Sequence, residues 1–156
     1  MNIDTNPIFK KTKNFDEALS FDKIEGKHFL PAIEGAIQMA KILIEEIEFS
    51  NDTPTFKNTV LALENASEYL DTAASAYYHL FSSEAGKEIE DLSQKISPML
   101  AEFSNDIYLN ETIFEKISEI ENKCSHNSKE EKRLIKVCYR KFVRNGANLT
   151  LEDKEK

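Results

Sequence analysis

The sequence predicts an all-α protein, a multi-helix bundle that includes one long helix. Three observations carry the prediction. Apolar residues recur at spacings of three and four through most of the chain, the period of one helix face. Four glycines and four prolines in 156 residues are few for a protein of hairpins and tight turns. Glu, Lys, Leu and Ala are plentiful, and each favours helix. With 40% hydrophobic and 31% charged residues, the chain has the composition of one globular domain able to bury its own core.

Residues 1–24 read as an extended lead-in. They are polar, contain the turn-favouring pair Asn6-Pro7, and carry Phe9, Phe15 and Phe21 as rings that can pin the segment to a surface. Residues 25–156 form the helical region. In "HFLPAIEGAIQMAKILIEEIEF" the apolar positions Phe29, Ile33, Ile37, Ala40, Ile44 and Ile47 line one face. Pro31 is expected in the first turn, where its missing N–H is harmless.

The long helix begins at "TPTFKNTVLALENA". Thr53 is the expected N-cap and Pro54 the first helical residue. Phe56, Val60, Leu63, Leu70, Ala74, Tyr77 and Phe81 follow at helical spacing, with no Gly or Pro before Gly86. The helix can therefore persist for about 28 residues, or ~42 Å. A helix this long in a chain this short fits a thin bundle or part of a larger body.

Beyond Gly86, Ile89, Leu92, Ile96, Leu100 and Phe103 mark a further helix that Pro98 is expected to kink. "NETIFEKISEIENK" is a shorter one capped by Asn110. "SKEEKRLIKVCYRKFVRNG" opens on a capping-box pattern, Ser128 with Glu131, and closes at Gly146, a C′ glycine. Thr150 and Asp153 have the form of a new helix start, so the sequence is expected to stop inside a further element.

Charge and motifs narrow the function. Twenty basic against 28 acidic residues, a formal charge of -8, oppose broad nucleic-acid or anionic-membrane binding. No apolar leader or membrane-length run is visible in these residues, so a cytoplasmic location is expected. Cys124 and Cys138 are too few for a disulfide framework. Cys124-x-His126 lacks the second ligand pair of a metal site, and Cys138 shares a face with Leu134 and Phe142, as a core residue would. The pairs Glu45-Glu46 and Glu130-Glu131 read as solvated helix surface. Lys129, Arg133, Lys136, Arg140 and Arg144 recur at four, three, four and four, a basic stripe about 80° wide facing away from that apolar face. Its plain reading is a solvated face paired with acidic neighbours. Its functional reading is that Arg140 and Arg144 attract acidic groups or the C-terminal carboxylate of a peptide.

Taken in order, "PAIEGAI", "TPTFKNTVLALENA", "YYHLFSSE", "LAEFSNDIYLN" and "YRKFVRNGANL" resemble the N-terminal part of the thimet oligopeptidase, oligopeptidase A and peptidyl-dipeptidase family of zinc metallopeptidases, and most of all its peptidyl-dipeptidase branch. The resemblance covers nearly the whole chain. It implies a mostly helical, two-lobed peptidase whose lobes flank a deep channel, with zinc held by a His-Glu-x-x-His helix and a further Glu. It also implies that this chain is the N-terminal, non-catalytic portion, contributing channel wall, with the C-terminal catalytic part as its partner and short peptides as substrates of the full-length enzyme.

His28, His79 and His126 are followed by Phe29, Leu80 and Asn127, so the zinc motif is missing and no catalytic or metal-ligating residue carries over. Zinc is expected in the full-length parent and not in this chain, which alone should be inactive. The alternative is a free-standing helical module that binds a protein partner through an apolar face, without enzymatic activity.

Overall fold

A computed structural model describes residues 5–10, 19–83 and 86–148. Among them there is no strand, and the all-α class predicted from the sequence holds. The helices are α1 (Gly26–Phe49), α2 (Ala62–Ala66), α3 (Glu68–Ser83), α4 (Lys87–Tyr108), α5 (Glu111–Lys123) and α6 (Lys129–Arg144). Three-residue 3₁₀ turns occupy Pro7–Phe9, Phe21–Lys23 and Cys124–His126. The chain divides into two compact units, one of Met1–Ile42 with Ala66–Leu100 and one of Leu43–Asn65 with Ala101–Lys156.

In the first unit the early turns of α1 bury Phe29, Ala32, Ile33 and Ala36. Phe29 meets Tyr77 of α3 edge to face, with ring centroids 5.6 Å apart. The described residues of the lead-in are tied to this core. Ile8 is buried, Phe9 packs edge-on against Tyr69 at 5.4 Å, and Phe21 lies 5.8 Å from the His79 ring. Phe15 lies outside the described residues. Asn6, only 1% exposed, caps the first 3₁₀ turn by accepting from the Ile8 N–H at 3.0 Å and donates its amide to the His28 carbonyl at 2.9 Å.

α1 opens earlier than the sequence suggests. It starts at Gly26, so Pro31 sits in the second turn and not the first. The proline removes the donor that would serve the Lys27 carbonyl, and Lys27 is exposed, where water can serve it instead. His28 supports this early start, because its Nδ1 accepts the Glu25 N–H at 2.9 Å. It plays the part that Glu or Gln plays in a capping box.

The long helix is interrupted. Thr55 is the N-cap, not Thr53: its hydroxyl accepts from the Asn58 N–H at 3.2 Å, and the Asn58 side chain accepts from the Thr55 N–H at 2.7 Å. Asn58 also donates to the Thr53 carbonyl at 3.1 Å, which ties the residues before the cap to the first helical turn, and Thr55 itself is extended. Helical structure then runs over 56–83 with a π-helical opening at Phe56–Leu61 and a single-residue turn at Ser67. The buried positions Leu63, Ala66, Leu70, Ala73 and Tyr77 repeat at three and four, while Ala74 is half-buried. α4 runs on both sides of Pro98.

The second unit is built around α5 and α6, both of which pack against the Phe56–Leu61 turn. Ile113, Ile117 and Ile120 of α5, with Ile135, Cys138 and Phe142 of α6, are buried. Phe114 lies nearly parallel to both Tyr139 and Phe142, at 5.6 and 6.1 Å, and Tyr108 meets Phe142 edge to face at 5.2 Å. Asn110 caps α5 by accepting from the Ile113 N–H at 3.0 Å, as expected. The Thr150–Asp153 helix start lies outside the described residues.

Candidate functional site

α6 is fixed at both ends by its own sequence. At its start the Ser128 hydroxyl accepts from the Glu131 N–H at 3.1 Å, and the Glu131 carboxylate accepts from the Ser128 N–H at 2.9 Å and the Asn127 amide at 3.1 Å. The Ser128 backbone bond, then Asn127, hold the Glu131 carboxyl below the usual Glu range. At its end Gly146 adopts φ 90°, which no side chain favours. The Gly146 N–H bonds the Val143 carbonyl and the Ala147 N–H the Phe142 carbonyl, both at 3.1 Å, closing a Schellman motif.

Between these caps α6 carries seven basic and two acidic residues. Lys132 reaches the Ser125 carbonyl at 2.7 Å, and Lys141 meets Glu64 at 3.4 Å. The other five are the predicted stripe. Lys129, Arg133, Lys136, Arg140 and Arg144 are all exposed, opposite the buried Ile135, Cys138 and Phe142. Among the described residues none of the five enters an ion pair. Solvation of the stripe thus matches the plain reading, whereas its pairing with acidic neighbours is missing.

The remaining candidates separate cleanly. Cys138 is buried, and that burial, with the Glu64 charge nearby, pushes its thiol up to about 11, the reverse of an activated nucleophile. Glu45, Glu46 and Glu130 are exposed. Cys124 lies in the turn after α5, and the His126 side chain lies outside the described set.

His28 has its Nδ1 engaged by the Glu25 N–H, and His79 packs against Phe21. No group of three or more His, Cys, Asp or Glu side chains converges among the described residues, so they do not fit a zinc site. Sequence reasoning missed the polar pair Asn6 and His28, because a lone Asn before Pro signals only a turn.

No family model matches the chain. Curated relatives do. The dipeptidyl carboxypeptidase of Salmonella typhimurium is 32% identical over 154 residues, which is 97% of this chain and 23% of that protein. This chain is a partial homologue of that peptidase. The dipeptidyl carboxypeptidase of Escherichia coli is 33% identical over 138 residues, 87% of this chain and 20% of the relative. Oligopeptidase A of Haemophilus influenzae is 25% identical over 154 residues, covering 97% and 22%.

The resemblance to the peptidyl-dipeptidase and oligopeptidase family is therefore borne out, and the chain spans about a fifth of the length of these relatives. Among the described residues of this peptidase homologue, no helix is long and apolar enough to cross a membrane.

Proposed function

We propose that this chain is the N-terminal, non-catalytic helical part of a cytoplasmic zinc-dependent oligopeptidase of the peptidyl-dipeptidase kind, and that it contributes wall to the channel through which short peptides reach the catalytic centre. One observation carries the reading. Similarity runs through 97% of this chain yet occupies only 23% of a dipeptidyl carboxypeptidase. Zinc and the catalytic groups belong to the remaining polypeptide, which is the partner of this part, and no chemical step is assigned to residues of this chain. Arg140 and Arg144 face the channel in this reading and meet peptide carboxylates.

The test is the mass of the native gene product in cells of the source organism, detected with an antibody raised against this chain. A band far above 17.9 kDa, in a fraction that releases dipeptides from oligopeptides, is the expected result. A band at 17.9 kDa would overturn it in favour of a free-standing interaction module.

A further inference from the structure

We infer that the outer face of α6 is a docking surface for the acidic side chains of an extended peptide. The inference rests on the reading that this chain serves a peptidase, and it adds the class of peptide selected. The five stripe residues are exposed and unpaired among the described residues, on a chain whose formal charge is -8. A protein with this acidic excess has carboxylates enough to neutralise five cations, and its described ion pairs form elsewhere, at Lys27–Glu25, Lys123–Glu119 and Lys141–Glu64. The stripe is therefore left open to a carboxylate from outside.

Its dimensions define the peptide. From Lys129 to Arg144 the stripe rises about 22 Å, in steps of roughly 6, 4.5, 6 and 6 Å. Side chains on one face of an extended peptide repeat every ~6.6 Å, so about seven residues with acidic groups at alternate positions match the stripe, long flexible cation side chains absorbing the difference. Three of the five cations are arginines, whose planar forks take a carboxylate in a bidentate grip that lysine lacks. Val137, 42% exposed, lies one turn from both Arg133 and Arg140 and offers an apolar contact beside them. A nucleic acid fits less well, because its backbone charge continues past the single basic face onto the acidic remainder of the chain, whereas the charge of a short peptide ends with the stripe.

The experiment is fluorescence anisotropy on the 156-residue chain with labelled peptides of about seven residues that alternate Glu with small neutral residues. One peptide carries an amidated C-terminus, a second replaces Glu by Gln and is amidated, and a third is the Gln peptide with a free C-terminal carboxylate. Binding of the amidated Glu peptide is expected, weakening about tenfold between roughly 50 and 200 mM salt. The double variant R133Q/R140Q should lose it at least tenfold while its circular dichroism stays unchanged, and K95E, on an exposed lysine of α4, should not.

Equal affinity for the Glu and Gln peptides, or no effect of R133Q/R140Q, overturns the inference. So does binding of the free-carboxylate Gln peptide alone, which would make the ligand a peptide terminus, or tighter binding of a single-stranded RNA of matched length. These results are read on the chain itself, whereas the peptidase reading stands or falls on the mass of the native gene product.

Discussion

The Lys116 ammonium on α5 lies 2.7 Å from the carbonyl oxygen of Ile47, in the last turn of α1. It also reaches the Ser50 carbonyl at 2.7 Å, so one cation from α5 serves two carbonyls at the end of α1. The last turn of α1 contains no basic residue, and its carbonyls lack intrahelical donors. Lys116 supplies both the hydrogen bonds and the positive charge that a helix C-terminus favours. Replacing Lys116 by Met keeps much of the aliphatic stem and removes both bonds. The expected loss is about 1–3 kcal/mol in urea unfolding, and an unchanged midpoint would show that water replaces the ammonium at no cost.

Asn6→Leu should destabilise the first unit, because it leaves the buried carbonyl of His28 and the N–H of Ile8 without their partner. A loss of about 1–3 kcal/mol is expected in urea unfolding. Asn6→Asp is the sharper comparison. It keeps an acceptor for Ile8 but sets a buried carboxylate against the His28 carbonyl, so it should be at least as damaging as Asn6→Leu at neutral pH and recover as the pH falls. Equal stability of Asn6→Asp and the parent at pH 7 would refute the assigned bond.

The α6 cap predicts a pH response of definite sign. Glu131 is held below its ordinary value of 4.5 by bonds made only in the folded state. Its contribution is therefore present above pH 4.5 and is lost as the pH falls through the lower folded value. Ser128→Ala, which removes the hydroxyl half of the box, should cost about 1 kcal/mol at neutral pH. Glu131→Gln retains an acceptor and should flatten the acid-side loss, read as amide exchange in the first turn of α6. An identical acid response in Glu131→Gln would assign the effect to other carboxylates.

The caps of α5 and α6 were legible because Asn110, Ser128 with Glu131, and Gly146 each have a strong local signature. Ser50-Asn-Asp-Thr-Pro-Thr was ambiguous for the same reason, since it offers several capping residues in a row, and Asn58, not the proline, decides for Thr55. The start of α1 was hidden because His28 is not a usual capping partner. The π-helical opening and the turn at Ser67 leave no mark in a pattern of apolar spacings, and alanines such as Ala73 and Ala76 read as helix formers until packing shows them buried. The stripe was visible from spacing alone, but whether acidic neighbours pair with it depends on residues far away in sequence, as Glu64 does for Lys141. A zinc centre could not be read, because the residues it requires are not in the chain.

Cys138 makes the last prediction. Its thiol lies inside the second unit, and burial raises it from 9.0 to about 11. A group whose folded value is raised stabilises the fold fully below its ordinary value, and the contribution disappears as the pH climbs through the folded value. Stability should therefore fall between pH 9 and 11, by on the order of 2 kcal/mol from this thiol. Lys141, also raised because Tyr108 and Glu64 outweigh the burial that opposes its charge, acts in the same direction at the alkaline end. Cys138→Ala removes the thiol and should flatten this limb, although the small cavity it leaves lowers stability at neutral pH. Alkylation provides the independent reading. At pH 8 in native conditions iodoacetamide should label the partly exposed Cys124 and spare Cys138, with the second label appearing only as urea unfolds the chain. Rapid native labelling of both cysteines would mean that the α6 core opens far more readily than its packing against Glu64, Phe114 and Tyr108 requires.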